Sequence, residues 1–434
     1  MLKVGESSSG GGISVSKKRK DSKSRTSRTK KEAKPVDMGA FITRINRLKP
    51  KYMDLGLLVA VVVMALFGLV MVFNASNYNS MIHHGTRFHY LTSQAIGFLL
   101  GVILLSATYM IPFQKYRKFY IWIYAIAAVL LVLVFIPGIG QERLGARRWI
   151  GIGGFTMQPS EVAKFSFVIF AAAVASGVKN RSGKTPDAIA LDNTATPNVL
   201  SLKQTLLILG CGLAFCGLIL LEPNLSITLV MGMTVFTMLF LCGAKLKHLG
   251  IFITPALIAL PVMLIAEPYR IRRLLAFIDP WANPKDEGFQ LIQSLFSLGN
   301  GGLFGVGFGN STQKHMFLPF SESDFIFSII GEEFGFIGAM LFMALFAFII
   351  WRIFKVGREC NDYFGKYICF GVATVIFIQS AVNLAVVTGT IPPTGVPLPF
   401  ISFGGTSLAV CMAAIGIVLN VAKQNTHRLY LEHE

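Results

Sequence analysis

The chain has 434 residues, of which 53% are hydrophobic and only 14% are charged, and its mean hydropathy is +0.60. A composition this apolar excludes an ordinary soluble domain and indicates an integral membrane protein. The formal net charge of +18 is concentrated at the N-terminus, where residues 1–51 carry fifteen Lys and Arg against four Asp and Glu.

The basic segment 1–51 is rich in Ser, Thr and Gly and has few large apolar residues, so we predict a disordered cytoplasmic tail. The first apolar run, Leu55 to Phe73, is long enough to span a membrane and has no small-residue cleavage site, which excludes a signal peptide. The positive-inside rule places this tail in the cytoplasm. The same charges would suit nucleic acid, but proximity to anionic lipid explains them equally, and we expect no nucleic-acid partner.

Apolar runs of about 20 residues, the length that crosses a bilayer, recur along the chain. They start near Leu55, Leu91, Phe119, Val162, Leu206, Leu225, Leu249, Phe325, Tyr367 and Ser407. Little more than "EPN" separates the fifth run from the sixth, which predicts a tight hairpin. We therefore predict an all-α integral membrane protein with about ten transmembrane helices. The membrane domain would cover 52–425, with a short cytoplasmic tail at 426–434.

Two predicted external segments, 138–160 and 267–324, carry eight Lys and Arg between them, although external loops normally have few. Ion pairing with nearby Asp and Glu is one explanation. Binding of an anionic substrate at the outer membrane face is the other, because Arg and Lys bind phosphate oxygens. The charge pattern alone leaves both open.

The segment 267–324 forms a large external loop between predicted helices 7 and 8, too long to be a simple connection. Its Gly- and Pro-rich composition predicts an ordered, functional loop. Within it, "EGFQLIQSLFSLG" has helical spacing and predicts a short interfacial helix with Phe296 on one side and Ser297 towards another. The glycines of "GNGGLFGVGFGN" lack the Lys of a phosphate-binding loop and predict turns.

The segment 321–335, "SESDFIFSIIGEEFG", places carboxylates at the start of an apolar span. On a helix starting at Asp324, Ser328 and Glu332 share a face opposite the Ile and Phe side chains. Acids inside a membrane normally face a cavity and mark function, although Glu332 and Glu333 could also be structural, hydrogen-bonded to neighbouring helices. Asp324 lies at the external end, where substrate can reach it, but an N-cap would explain it as well.

Three further polar motifs occur at the predicted outer ends of spans. In "QPSEVAK", Glu161 and Lys164 have the i, i+3 spacing of a local ion pair. In "LEPNLSIT", Glu222 lies at the hairpin turn, where turn formation alone could explain it. The segment 388–407, "TGTIPPTGVPLPFISFGGTS", is rich in Pro and Gly and re-enters the membrane.

Together these motifs resemble the SEDS family (shape, elongation, division and sporulation), the multispanning peptidoglycan glycosyltransferases. The resemblance covers roughly residues 50 to 425 and includes "GARRWI", "QPSEVAK", "GFQLIQSL", "GVGFGNSTQK", "LPFSESDFIFSIIGEEFG" and "IPPTGVPLPFISFGGTS" in the family's order. "EPNLSIT" departs from the usual EPD pattern, so Glu222 is carried over and Asn224 is not. The basic tail and "GNSTQK" resemble the division branch of the family more than the elongation branch, and a sporulation-type member would have nearly the same sequence.

The resemblance implies that lipid II, a disaccharide-pentapeptide on undecaprenyl pyrophosphate, is polymerised on the outer face of the bacterial cytoplasmic membrane at the division septum. It implies an inverting reaction with Asp324 as general base, because pyrophosphate leaves without protonation. The substrate-binding residues it implies are Arg148, Trp149, Glu161, Lys164, Glu222, Arg272, Arg273, Gln290, Ser294, Lys314, Glu332 and Glu333.

Positive charge at the pyrophosphate is expected chiefly from Arg148, Lys164 and Lys314, with Arg272 and Arg273 as weaker candidates. No metal-site pattern is evident, although a divalent cation, Mg²⁺ or Mn²⁺, could assist the leaving group. Implied partners are the growing lipid-linked glycan, a class B penicillin-binding protein with transpeptidase activity, and other division proteins. The alternatives are a lipid II flippase, which would need charged or broken-helix features near the membrane midplane, and a non-catalytic division scaffold.

Overall fold

The computed structural model describes residues 53–143, 145–152, 155–177, 200–245, 247–250 and 268–431. Two predicted features lie outside the described residues. They are the basic tail at 1–51 and nearly all of the span starting near Leu249.

Helices make up most of the described chain. In order they are α1 (Leu55–His84), α2 (His89–Met110), α3 (Phe113–Leu133), α4 (Pro159–Ser176), α5 (Leu202–Leu221), α6 (Leu225–Leu241), α7 (Pro268–Ile278), α8 (Phe289–Gly301), α9 (Ile326–Arg358), α10 (Tyr363–Val387) and α11 (Gly405–Leu431). Within the described ranges, eight helices are long and apolar enough to cross a membrane, and α6 is a shorter apolar helix. The predicted class, a helical membrane protein of about ten spans, is confirmed, as is the tight α5–α6 hairpin.

The segment between α3 and α4 is not a simple loop, as the sequence suggested, but a small antiparallel sheet. Its strands are β1 (Gly140–Arg143), β2 (Ala146–Ile152) and β3 (Phe155–Met157), in the order β1-β2-β3. In the register, Trp149 pairs with Gln141 and Gly151 pairs with Thr156. The all-α prediction needs this addition. The strands were missed because they are short and interrupted by glycines, which weaken the period-2 signal.

Helix α4 lies at the centre of the bundle, because every residue in it except Val162 is buried. A helix that is apolar all round is expected in the interior. It packs against α3, α5, α6 and α10. Helix α3 lies at the periphery, where Trp122 is 68% exposed, as expected for a lipid-facing side chain.

Helices α2 and α11 approach each other through small residues. A Cβ at Gly97 would lie 2.4 Å from the Cα of Gly405, and a Cβ at Gly416 would lie 2.1 Å from Oγ1 of Thr108. Close backbone contact of this kind is typical of small residues at helix interfaces in membranes. It fixes the start of α11, and therefore the end of the 388–404 segment, against α2.

Helix α9 is interrupted at Gly335, whose φ is 67° and ψ is −170°. The preceding glycine-rich loop lies in the break, where the amide of Val306 donates to the carbonyl of Glu332 at 2.9 Å. A Cβ on Gly335 would lie 2.3 Å from the nitrogen of Gly305, so only glycine fits this crossing. The continuous helix suggested by the apolar pattern is therefore wrong here. The predicted turns are confirmed by positive φ values at Gly302, Gly305, Gly307 and Gly309.

The motif-bearing segments lie together at one end of the bundle. Arg148 of β2 contacts the α5–α6 turn, and Thr406 at the start of α11 donates to the carbonyl of Thr156. At the other end of the bundle, Arg117 near the start of α3 donates to the carbonyl of Ser176 at the end of α4. This grouping is the one that the predicted topology requires, and the orientation of the two ends in the cell stays a prediction.

Candidate active site

Asp324 lies in the turn that precedes α9, at the motif-bearing end. Helix α9 begins at Ile326, and its N-cap residue is Phe325, with no side-chain capping bond. The N-cap explanation for Asp324 is therefore wrong. Its side chain is partly exposed, and within the described residues only its backbone carbonyl, not its carboxylate, makes a hydrogen bond. The carboxylate is consequently available to a ligand.

The surroundings of Asp324 raise the pKa of its carboxyl group to about 7. Desolvation by the atoms around it is the main cause, and the neighbouring carboxyl of Glu322 adds to it, whereas Arg273 and Arg148 act in the opposite direction. Burial likewise raises the pKa of Glu322. A carboxyl group that titrates near neutral pH is suited to general-base catalysis.

Arg148 joins the small sheet to the α5–α6 turn. Its Nε donates to the carbonyl of Glu222 at 3.3 Å, and its Nη2 donates to that of Pro223 at 2.5 Å. The Glu222 side chain is buried, and neither carboxyl oxygen has a hydrogen-bond partner in the described structure. Burial raises the pKa of Glu222 to about 8, and Arg148 counteracts the rise. Arg148 thus places positive charge near the carboxyl groups of both Glu222 and Asp324, and Trp149 follows it on β2.

An open cavity of about 540 Å³ lies at the same end of the molecule. Its lining residues are Arg273, Asp286, Glu287, Phe289, Gln290, Pro319, Phe320 and Pro393. Gln290 donates to the carbonyl of Pro319 at 3.4 Å, and exposed Arg272 pairs with Glu287 at 3.0 Å. The cavity therefore brings together two predicted residues, Arg273 and Gln290, from α7 and α8. Helix α7 was not predicted from the sequence.

Ser294 lies on the buried face of α8. Its hydroxyl is 2.8 Å from Oγ of Ser328 and donates to the carbonyl of Val387 at 2.8 Å. Ser297 is also buried, whereas Phe296 is 46% exposed. The prediction of a helix here is confirmed, with Phe296 and Ser297 on different sides. The sequence did not show that α8 packs its serines against α9.

Glu333 and Lys314 form a buried ion pair deeper in the molecule. The Nζ of Lys314 is 3.0 Å from Oε1 of Glu333, and it also donates to Oδ1 of Asn74 at 2.9 Å and to the carbonyl of Gly309 at 2.6 Å. The amide of Asn74 donates to the other oxygen of Glu333. Lys314 is only 7% exposed. Its ammonium group is therefore surrounded by protein acceptors instead of facing the outer surface.

Hydroxyl groups surround the carboxylate of Glu332. It accepts hydrogen bonds from Ser297 at 3.1 Å, from Ser311, and from Thr312 at 3.0 Å. These bonds join α8 and the glycine-rich loop to α9. Of the two explanations that the sequence left open for Glu332, the geometry matches the structural one.

Glu161 and Lys164 form the local ion pair that their spacing suggested. Lys164 Nζ is 2.7 Å from Oε1 of Glu161, and Ser407 donates to Oε2 of Glu161 at 2.8 Å. The Lys164 side chain has no exposed surface. The buried positions of Lys164 and Lys314 argue against the direct pyrophosphate contacts expected of them.

Three buried amide side chains were missed in the sequence: Asn74 of α1, Gln94 of α2 and Asn383 of α10. All three connect the segments that carry the site. Their signal was present, since a polar amide inside an apolar span is costly unless it is hydrogen-bonded. The sequence does not show, however, which distant groups they contact.

Two histidines lie close together, at the end of α1 and the start of α2. His84 and His89 stack with ring centroids 3.7 Å apart. Within the described part of the chain, no three His, Cys, Asp or Glu side chains are arranged to hold a metal ion. No protein ligands are therefore assigned to the divalent cation considered above.

The FtsW/RodA/SpoVE cell cycle protein family model matches residues 55–427. The chain is 35% identical over 374 residues to stage V sporulation protein E of Bacillus subtilis, covering 86% of this chain and 98% of that protein. It is 37% identical over 391 residues to the probable peptidoglycan glycosyltransferase FtsW of Geobacter sulfurreducens, covering 89% and 98%. The chain belongs to this family of cell cycle proteins.

Two solved structures share the fold. One is a chain from a peptidoglycan synthase complex described as coordinating polymerization and crosslinking, with 27% identity, a TM-score of 0.68, and coverage of 86% of this chain and 98% of that chain. The other is the rod shape determining protein RodA of Thermus thermophilus, with 25% identity, a TM-score of 0.59, and coverage of 88% and 99%. The similarity in both cases extends over nearly the whole membrane domain.

Proposed function

We propose that this chain is an inverting glycosyltransferase that polymerises lipid II on the outer face of the bacterial cytoplasmic membrane. Its family membership makes it a peptidoglycan glycosyltransferase. The observation that carries the mechanism is the environment of Asp324. Its carboxylate is partly exposed, without a hydrogen-bond partner in the described residues, and close to the charges of Arg148 and Arg273.

In the proposed reaction, Asp324 accepts the proton of the acceptor N-acetylglucosamine 4-hydroxyl while that oxygen bonds to the anomeric carbon of the donor lipid. The bond from the anomeric carbon to the pyrophosphate breaks on the opposite side, which inverts the configuration. Undecaprenyl pyrophosphate is a weak base and leaves with the bonding electrons, so no general acid is required. Arg148 and Arg273 supply positive charge for it, with Arg272 contributing less.

A divalent cation held by the pyrophosphate oxygens would add to this charge. Chelation by EDTA tests the point. Loss of synthesis that Mg²⁺ or Mn²⁺ restores would support a cation requirement, and unchanged synthesis would exclude it.

We also propose that the chain acts in septal wall synthesis with a class B penicillin-binding protein. The FtsW relative and the similar chain from a synthase complex support this pairing. Depletion should give undivided filaments. Normal division with failed spore formation would instead assign the chain to sporulation, in line with its similarity to stage V sporulation protein E.

The described charges favour an enzyme over a flippase. A flippase would need charged or broken-helix features near the membrane midplane. The break in α9 at Gly335 is filled by the glycine-rich loop, whose backbone hydrogen-bonds across it. The buried lysines Lys164 and Lys314 are instead paired with Glu161 and Glu333, whereas Asp324 and the exposed Arg272 and Arg273 lie at one end of the bundle.

The deciding experiment uses the purified chain, with and without its transpeptidase partner, and labelled lipid II. Glycan strands should form with the wild-type protein and not with Asp324→Asn. Translocation of labelled lipid II across vesicles without any polymer would indicate a flippase. Near wild-type synthesis by Asp324→Asn would move the general-base assignment to Glu161 or Glu222.

A further inference from the structure

Three consecutive backbone carbonyl groups of the turn that carries Asp324 accept hydrogen bonds from other parts of the chain. The bonds run from Phe403 N to Glu322 O (2.9 Å), from Ser402 Oγ to Ser323 O (2.6 Å) and from Asn383 Nδ2 to Asp324 O (2.8 Å). All three donors come from outside the turn, either from α10 or from the segment before α11. The position of the turn therefore depends on two elements distant from it in sequence.

Asn383 holds two segments at once. Its Nδ2 also donates to the carbonyl of Val396 at 2.8 Å, and the side chain is only 1% exposed. An amide buried in an apolar helix is costly unless its hydrogen bonds compensate. Here those bonds join α10 to both the Asp324 turn and the 388–404 segment.

Ser402 is fixed in the same way. Its hydroxyl accepts from the amide of Leu398 at 2.8 Å while donating to the Asp324 turn. Its carbonyl accepts from Nε2 of Gln94 at 3.2 Å, and Oε1 of Gln94 accepts from the amide of Gly404 at 2.9 Å. Gln94 is fully buried in α2, which packs directly on α11. The 388–404 segment is thereby a rigid support for the turn.

The support lies directly beside the carboxylate. A Cβ at Gly395 would lie 3.2 Å from Oδ2 of Asp324. A shift of the 388–404 segment relative to the turn would therefore change the space around this oxygen atom.

We propose that Asn383 and Ser402, with Gln94 behind them, are positioning residues that orient the Asp324 carboxylate for proton abstraction. The proposal rests on the proposed function. Asn383 and Ser402 act through the backbone of the turn, and Gln94 acts through the backbone of the 388–404 segment. A misplacement of about 1 Å can cost about 10²-fold in rate. Loss of these hydrogen bonds should therefore lower kcat and leave KM for lipid II nearly unchanged.

The test compares Asn383→Ala with Asn420→Ala. Asn420, at the opposite end of the bundle, is 3% exposed, donates to the carbonyl of Tyr109 at 2.7 Å and accepts from the amide of Phe113 at 2.9 Å. Both variants remove a buried amide that joins two segments. We expect kcat to fall about 10- to 100-fold in Asn383→Ala and to stay at the wild-type value in folded Asn420→Ala.

Ser402 provides a rescue series. Ser402→Thr keeps the hydroxyl and should retain turnover, whereas Ser402→Ala should lower kcat without changing KM. A structural role alone would lower the amount of folded protein in both and would not separate kcat from KM.

Hydrogen exchange supplies a readout that does not require activity. Amides at 321–326 should exchange faster in Asn383→Ala than in the wild-type protein, and their exchange should be unchanged in Asn420→Ala. The charged groups that act on Asp324, namely Glu322, Arg148 and Arg273, are retained in both variants. A shift of the acid limb of the pH profile to lower pH in Asn383→Ala would therefore report greater solvation of Asp324.

Equal kcat values in Asn383→Ala and Asn420→Ala, or unchanged exchange at 321–326, would overturn the positioning role of Asn383 even if the wild-type enzyme is active. An inactive wild-type protein with faster exchange in Asn383→Ala would overturn the proposed function but would still show that Asn383 holds the Asp324 turn.

Discussion

Two carboxylates in neighbouring parts of one segment, those of Glu333 and Asp324, have opposite environments. Glu333, in the first part of α9, is buried and bonded to Lys314 and Asn74. Asp324, in the turn before α9, is partly exposed, and within the described residues its carboxylate has no hydrogen-bond partner. In the sequence both are acids near the start of one apolar span, with Asp324 at its external end and Glu333 inside it.

This difference distinguishes a carboxylate that stabilises the fold from one that can take part in the reaction. A buried charge is tolerated when partners surround it, and removing one partner leaves the other uncompensated. A carboxyl group without partners and with a pKa near neutrality can exchange a proton with a substrate. Substitutions at the two sites should therefore fail in different ways, one in stability and one in turnover.

The largest effect is expected for Asp324→Asn. General-base assistance is worth about 10²- to 10⁴-fold, so glycan synthesis from labelled lipid II should fall by that factor. The folded protein should unfold at an unchanged or slightly higher temperature, because the change removes a carboxyl group whose ionisation the site disfavours. Glu359→Gln is the control. Glu359 is exposed at the other end of the bundle, and its pair with Lys355 is long, at 3.9 Å. Equal losses in the two variants would contradict the comparison.

The next effect concerns stability. Lys314→Met leaves Glu333 buried without its cation, which should lower the free energy of unfolding by about 3–5 kcal/mol. The double variant Lys314→Met, Glu333→Leu should recover much of this loss, as measured by unfolding in detergent. A Lys314→Met protein of normal stability but weakened lipid II binding would show instead that Lys314 binds pyrophosphate.

A smaller effect is expected at Arg148. Arg148→Lys keeps the charge but loses the planar donor group that reaches the carbonyls of Glu222 and Pro223. Turnover should fall about tenfold, in keeping with the loss of one charged hydrogen bond. Arg147→Lys is the matched control on the same strand, because among the described residues Arg147 makes only an exposed pair with Glu142 at 3.4 Å. Equal turnover in both variants would remove Arg148 from the site.

The smallest effect is a shift in pH dependence. Asp324 must be deprotonated to accept a proton, so kcat/KM should fall as the pH drops below about 7. Glu322→Gln removes a negative charge that raises the pKa of Asp324 and should move this acid limb to lower pH. Arg273→Gln removes a charge that lowers it and should move the limb to higher pH. Shifts in the same direction in both variants would exclude Asp324 as the titrating group.

Prediction from the sequence succeeded where the signal was local. The apolar spans, the α5–α6 hairpin and helix α8 follow from runs and periods within short windows. The break at Gly335 was missed because its cause is the loop around Gly305, thirty residues earlier, and no period records that contact. The sequence likewise predicted two sides of α8 but not which side is buried, since its serines are buried by partners on α9 and α10.

Hydropathy and motif order in the amino-acid sequence were sufficient to identify a multispanning membrane protein of about ten spans and the motifs that carry its family resemblance. Hydrophobicity and chain length suffice for those conclusions, because they depend on transfer of each segment into lipid. Which charges are neutralised and which stay available became evident from the packed bundle alone. Lys164, Lys314 and Glu333 are paired through contacts in the folded bundle, whereas Asp324 is held by backbone bonds that leave its carboxylate unpaired in the described structure. Whether a charge is paired depends on distances of a few ångströms between segments, and those distances exist only after packing.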